Sequence, residues 1–228
     1  MANPTCFASL QACALRVARL SAAGAPESGA ENGYVSEAII DLTVAVELTE
    51  GDEFEVKNGC GVICATFKDV DRIKRLNLTL NLCQLDFYLI DFLTEGGLIE
   101  SGGLPVGFEY PSVTAAAQNG VSLEVWTKAW DGTEQAVPAF TSPNAAYNHW
   151  VFPKTKWVLG DITMENDLMV VPVTGFGEEN SQITANGPFN DWPAAVANHG
   201  GITRVGGVFY DDTLPTATCA PEAVPAGS

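Results

Sequence analysis

Histidine is almost absent from this chain: two occur in 228 residues, His149 and His199. Basic residues are scarce as well, 11 against 28 acidic ones, leaving a formal net charge of -17 at pH 7. So few cations argue against non-specific binding to the outside of DNA or to an anionic membrane, because both depend on basic patches. Catalytic and cofactor motifs are missing too. There is no G-x-S-x-G elbow, no H-E-x-x-H, no glycine-rich phosphate loop ending in Lys–Ser/Thr and no cysteine-rich zinc framework. No run approaches the ~20 apolar residues that cross a bilayer as a helix. The opening MANPTCFASLQACALRVARL has no basic residue ahead of its apolar patch, so a secretory leader is not expected.

The chemistry-bearing residues that do occur are thinly spread. His149 sits among Tyr147, Trp150 and Phe152 and reads as a strand residue, while His199 precedes Gly200–Gly201 in a loop. Neither is expected to be catalytic, and no cofactor or metal is expected. Six cysteines in a chain of this length do not define a disulfide scaffold. Cys60 and Cys64, if extended, lie about 13 Å apart, beyond disulfide reach, although a turn could bring them together. Reduced thiols are the favoured reading, with bridges and metal left open. Glycosidase-type carboxylate pairs also stay open, because 28 acids offer many accidental ones. The five tryptophans fit core or subunit contacts better than a sugar platform.

What the chain has in quantity is alternation. Leu76, Leu78, Leu80 and Leu82 share one parity, and Arg75, Asn77, Thr79 and Asn81 the other. Successive strand side chains point to opposite faces, which predicts a strand over 72–83 with one buried and one wet face. A second such strand covers 38–48, where Ala38, Ile40, Leu42, Val44, Val46 and Leu48 oppose Ile39, Asp41, Thr43, Ala45 and Glu47. Between the two lies an excursion at 49–71, expected to turn through Asn58–Gly59. Past Gln84 the period lengthens, predicting a helix over 86–94 with Asp86 as N-cap and Gly96–Gly97 as its stop. A first strand is expected at 14–20, and later ones in GLPVGFEY, VSLEVWTKAW, YNHWVFP, TKWVLGDITMEND and NDLMVVPVTGFGEEN, and within GGITRVGGVFYDD. SAAGAPESGAENG reads as a loop, 180–201 as a long surface loop and 221–228 as a flexible tail. Alternating β/α units do not appear, so a mainly β, antiparallel single domain over 1–220 is expected.

The progression over residues 14–97 resembles the major tail (tail tube) proteins of long-tailed phages that infect actinobacteria. The matching positions are Arg16, Arg19, Leu20, Gly24, Pro26, Asn32, Tyr34 and Val35, then Glu50, Gly51, Asp52, Glu53, Glu55, Val56, Lys57, Asn58, Cys60, Gly61 and Cys64. They continue at Lys68, Asp69, Asp71, Lys74, Arg75 and Asn77, with a looser likeness through HWVFPKTKW and NGPFNDWP.

That resemblance implies two packed antiparallel sheets, a β-sandwich or roll, with a short flanking helix. It implies a structural virion protein without catalytic activity that forms six-membered rings, which stack into the conduit for DNA ejection. Implied partners are other copies of the chain, tape-measure, tail terminator and distal tail proteins, and double-stranded DNA in passage, with no membrane contact. The implied location is the virion tail, and the host cytoplasm before assembly. Under this reading Asp41, Glu47, Asn77, Thr79 and Asn81 are candidates to face the channel. Glu53, Glu55, Lys57, Asn58, Lys68, Asp69 and Asp71 are candidates for contacts between subunits or rings. Arg75 shares the polar parity and is expected to pair with an acid or to lie away from the channel. Two alternatives stand beside this one: another tail or decoration protein of similar fold, and an acidic secreted carbohydrate-active enzyme.

Overall fold

The strictly alternating segments become strands, and the computed structural model describes residues 8–111, 118–130, 147–162, 170–211, 213–218 and 220–227. In the first part of the chain these are β1 (Ala8–Arg19), β2 (Gly29–Ser36), β3 (Ile39–Thr49), β4 (Glu53–Lys57), β5 (Ile63–Lys68) and β6 (Arg72–Leu82). Helix α1 (Phe87–Thr94) follows, then β7 (Gly97–Ser101), β8 (Leu104–Glu109), β9 (Val121–Trp130) and β10 (Tyr147–Leu159). The chain ends with β11 (Val171–Glu178), α2 (Ala194–Asn198), β12 (Gly207–Asp211) and β13 (Glu222–Val224).

The strands hydrogen-bond in the order β13-β2-β1-β9-β10-β11-β6-β3, with β12 also on β10, while β4–β5 and β7–β8 stand apart as hairpins. The pairings are antiparallel. The ladder folds over so that two layers face each other. Leu15 and Val17 of β1 and Val121, Leu123 and Val125 of β9 share one core with Leu76, Leu78, Leu80 and Leu82 of β6 and Val171 and Val173 of β11. The fold is therefore mainly β, two packed antiparallel layers with a short helix against them. Each fully buried leucine contributes roughly 1.5–3 kcal/mol by leaving water.

β10 joins the layers. Its first half pairs with β9 and β12, its second half with β11, so one long strand serves both sides. The sequence had suggested two strands separated at Pro153. Instead the strand runs through the proline at a register irregularity between Phe152 and Thr155, where the ladder makes no demand on the missing N–H. The Pro153 carbonyl accepts from Asn180 Nδ2 at 3.2 Å.

Asp86 caps α1 as expected, accepting from Leu89 N at 3.2 Å. Its carboxylate also accepts from Tyr34 Oη at 2.9 Å and Ser36 Oγ at 2.8 Å, which ties the helix start to β2. The helix stop differs from expectation: Glu95, not Gly96–Gly97, takes the left-handed conformation, with φ 49°. Gly96 serves another purpose, since a Cβ there would collide with the Phe108 ring. Leu89, Ile90, Phe92 and Leu93 then complete the core.

Three further readings need correction. β2 occupies part of what composition marked as loop, because its apolar signal is confined to Tyr34 and Val35. Residues 222–224, assigned to a flexible tail, pair with β2 and bury Val224. The long 180–201 segment is more than surface loop: Ile183 and Trp192 form a second core with Leu20 and Val151 on the outer face of the sheet.

Candidate assembly surfaces

Two irregularities shape the free edge strand β3. The first lies between Ile39 and Asp41 and reverses the parity of the strand. Ile39 is therefore buried and Ile40 exposed, the opposite of the sequence reading, because the extra residue at a bulge turns the following side chains over. Beyond it Leu42, opposite Leu80, packs against the core. Val44, Val46 and Leu48 continue the same face but are 41%, 55% and 53% exposed, as is Ile73 at 57%. The apolar stripe thus outruns the core that covers its beginning.

The opposite face of β3, β6 and β11 is mainly polar, with Pro172 and Phe176 of β11 opposite Asn81 and Asn77. In register lie Asp41 with Asn81, Thr43 with Thr79 and Thr174, and Ala45 with Asn77. All five channel candidates fall on this one face. Asp41 accepts from Asn81 Nδ2 at 2.9 Å. Glu47 is not a bare acid: Lys74 Nζ and Arg75 Nε each donate to it at 2.6 Å. The second irregularity, between Glu47 and Leu48, brings the consecutive Lys74 and Arg75 to one partner. The Lys74 hydrogen bond first, then that of Arg75, hold the Glu47 carboxyl down at about 2. Arg75 is thereby paired with an acid, as expected of it.

The 49–71 excursion is an arm, β4 against β5. Glu53 faces Lys68 and Glu55 faces Thr66 across one side; Phe54 faces Phe67 and Val56 faces Ala65 across the other. The ribbon is amphipathic, yet all of its strand residues are exposed, with Phe54 at 58% and Phe67 at 61%. A two-stranded hairpin is marginal on its own in water. Exposed apolar faces of this kind commonly mark interaction surfaces.

The seven contact candidates divide by task. Asn58 shapes the arm tip, its Oδ1 accepting from the N–H groups of Cys60 and Val62, each at 3.0 Å. The turn spans Asn58–Val62 with Gly61 at φ 81°, wider than the expected Asn58–Gly59 pair. Asp71 braces the root, accepting from Gly51 N at 3.0 Å, and Asp69 N donates to the Asp52 carbonyl at 2.9 Å. Glu53, Glu55, Lys57 and Lys68 decorate the ribbon, Lys57 lying 3.4 Å from Glu55. Attention to charge missed the apolar residues Phe54, Val56 and Phe67. The alternation in EFEV and ATFK was the signal for them.

Other sites offer less. Cys60, Cys64 and Cys83 are free and exposed, and Cys13 is free and partly covered. Among the described residues, no group of three or more His, Cys, Asp and Glu side chains could hold a metal ion. A cleft of about 610 Å³ between β3 and the β1–β9–β10 layer is lined by Trp150, Phe152 and Leu42, with Asp41 as its carboxylate. Trp126, Trp157 and Trp192 are buried.

No protein-family model matches the chain, and no curated protein sequence matches it. Among solved structures, a chain of the sheath-tube complex of an extracellular contractile injection system (PVC, extended state) aligns at 12% identity. That alignment covers 60% of this chain and 84% of the other, with a TM-score of 0.30. The tube-terminating cap of the anti-feeding prophage aligns at 10% identity over 72% and 83% of the two chains, with a TM-score of 0.31. Superpositions at this level carry no argument about function.

Proposed function

We propose that this chain is a structural subunit of a virus tail, joining into six-membered rings that stack as a tube through which DNA is ejected. The observation that carries the reading is the arm taken with β3: an amphipathic ribbon and an edge strand that both present apolar side chains to water in a single copy. An unpaired edge and an uncovered stripe are liabilities in a monomer. In a ring each edge meets the next subunit, and the arm reaches a neighbouring subunit or ring.

The polar face suits the inside of such a tube. Asn77, Thr79, Asn81, Thr43 and Thr174 carry no charge, the cations beside Glu47 are already engaged, and Lys156 of β10, in register with Phe176, adds little positive charge to the face. DNA held by few phosphate contacts slides instead of sticking. Tape-measure, tail terminator and distal tail proteins are the further partners this role entails. The virion tail is its destination and the host cytoplasm its origin.

The enzyme alternative finds little support. His149 is 1% exposed, Trp126, Trp157 and Trp192 are interior, and among the described residues the cleft beside Trp150 has one carboxylate where a glycosidase needs two flanking a sugar. The test is electron microscopy of the purified chain across a concentration series. Long uniform tubes support the proposal; a persistent monomer or single ring favours another tail or decoration component.

A further inference from the structure

The outer face of β1, β9 and β10 buries charges that no assembly surface uses. Arg16, Glu124, His149 and Asp211 are all at most 9% exposed. Arg16 Nε donates to Glu124 Oε2 at 2.7 Å, and its Nη1 and Nη2 donate to Asp191 at 2.7 and 3.0 Å. Its guanidinium also lies 3.9 Å from the Phe189 ring centre. Trp192 Nε1 donates to Glu124 Oε1 at 2.6 Å.

His149 closes the cluster. Its Nδ1 is 3.1 Å from Asp211 Oδ2, and its Nε2 is 3.4 Å from Glu124 Oε1, a charge contact without hydrogen-bond alignment. The ring stacks on Trp126 at 3.9 Å and meets Phe209 at 4.4 Å. Asp191, Trp192, Phe209 and Asp211 all belong to the segment 180–211, whereas Arg16, Glu124 and His149 belong to the sheet. Polar anchoring of that segment therefore converges on these sheet residues, beside the small second core and the β12 pairing.

We propose that His149 is the charged pivot of a latch holding the 180–211 segment against the sheet, and that removing its positive charge loosens this segment while the two-layer core stays folded. With the imidazolium present, Arg16 and His149 face the carboxylates of Glu124, Asp211 and Asp191. Glu222 of β13 lies nearby, its carboxyl pushed up by burial and so readier to stay neutral. Without the imidazolium, Arg16 is the one cation left opposite the same three carboxylates; Thr213 and Trp126 still donate to Asp211, but neutral donors do not replace a counter-charge, and a buried charge that loses its ionic partner is strongly destabilising. The segment yields first because it is held at one margin, while β1, β9 and β10 are hydrogen-bonded into the ladder on both sides.

The direction with pH follows from the neighbours. Burial pulls His149 down, but the Asp211 and Glu124 carboxylates outweigh it and raise the ring above its ordinary 6.5. The latch is therefore fully charged below pH 6.5 and opens as pH rises through the higher folded-state value. Hydrogen exchange of the full-length monomer, corrected for intrinsic rates and followed by peptide mass spectrometry from pH 6 to 9, tests this. Protection of 180–211 should be lost relative to 76–82 as the pH rises through this range, and His149→Gln should hold it low at every pH.

A second measurement guards against a variant that fails to fold. NMR titration of the wild-type imidazoles, with His199→Gln assigning the two signals, should place His149 above 6.5. A His149 titrating at or below that value overturns the proposal. So does protection of 180–211 that tracks 76–82 across the pH range.

Discussion

Leu76, Leu78, Leu80 and Leu82 alternate along β6 and are buried, whereas Phe54 and Val56 alternate in the same way along β4 and are exposed. The local rule is identical: one face apolar, one polar, period two. What differs is the cover. β6 lies between β11 and β3 with the opposing layer against its leucines; β4, among the described residues, pairs with β5 alone. Alternation therefore declares that a face is to be covered without saying by which molecule. The chain answers the question internally for its body and leaves it open for its arm and the far end of β3.

The largest effect that would sharpen this contrast is expected in the body. Leu80→Ala should lower unfolding stability by about 2–5 kcal/mol, since it opens a cavity among packed neighbours. Denaturant titration of the monomer reads it out. A value near zero would mean that the leucine face is not a packed core.

Next is the arm. Phe54→Ser with Phe67→Ser should leave monomer stability within about 0.5 kcal/mol. The same pair should raise the concentration needed for assembly about 30-fold or more, as loss of one strong interface anchor of about 2 kcal/mol implies. Light scattering measures the second quantity, and unchanged assembly would break the comparison.

A smaller effect concerns pH. Burial works against ionised Glu124 and Asp211, yet Arg16 and His149 for the first, and His149 and Thr213 for the second, hold both carboxyls at about 2. Their contribution is full above the ordinary values of 4.5 and 3.8 and fades as pH falls toward 2. Stability should consequently decline as pH falls below about 4.5; above it the burial-raised Glu222 carboxyl takes away a share as it ionises, and His149 adds its own loss once the pH passes 6.5. Urea unfolding across pH 3–9 checks the shape; a maximum well above pH 8 would contradict it.

The smallest effect belongs to the polar face. Glu47→Gln releases Lys74 and Arg75 toward solvent. DNA retention by assembled tubes should rise modestly at low salt and return to normal at high salt, because screening removes phosphate contacts. Retention that ignores salt would separate this face from the DNA path.

Much of the body was legible because alternation is a local property. β3, β6, α1 and the Asp86 cap could be read directly from residues 38–94. The bulge at Ile40 could not, since it depends on where β3 meets β6, and it turned one isoleucine outward and its neighbour inward. The outer charge cluster was equally hidden: Arg16, Glu124, His149 and Asp211 lie on four strands, and nothing in spacing joins them. At the arm, charged residues drew attention while the alternating phenylalanines carried the physical signal. His149 was rightly read as a strand residue, but its company of carboxylates is a product of topology.

The central claim, that the arm's apolar face is covered by another copy, is tested most directly by hydrogen exchange at 53–68 in monomer and in assembled particles. The account predicts rapid exchange in the monomer and slowing of about 100-fold or more in the assembly, with little change at 76–82. Arm amides that exchange equally fast in both states would contradict it.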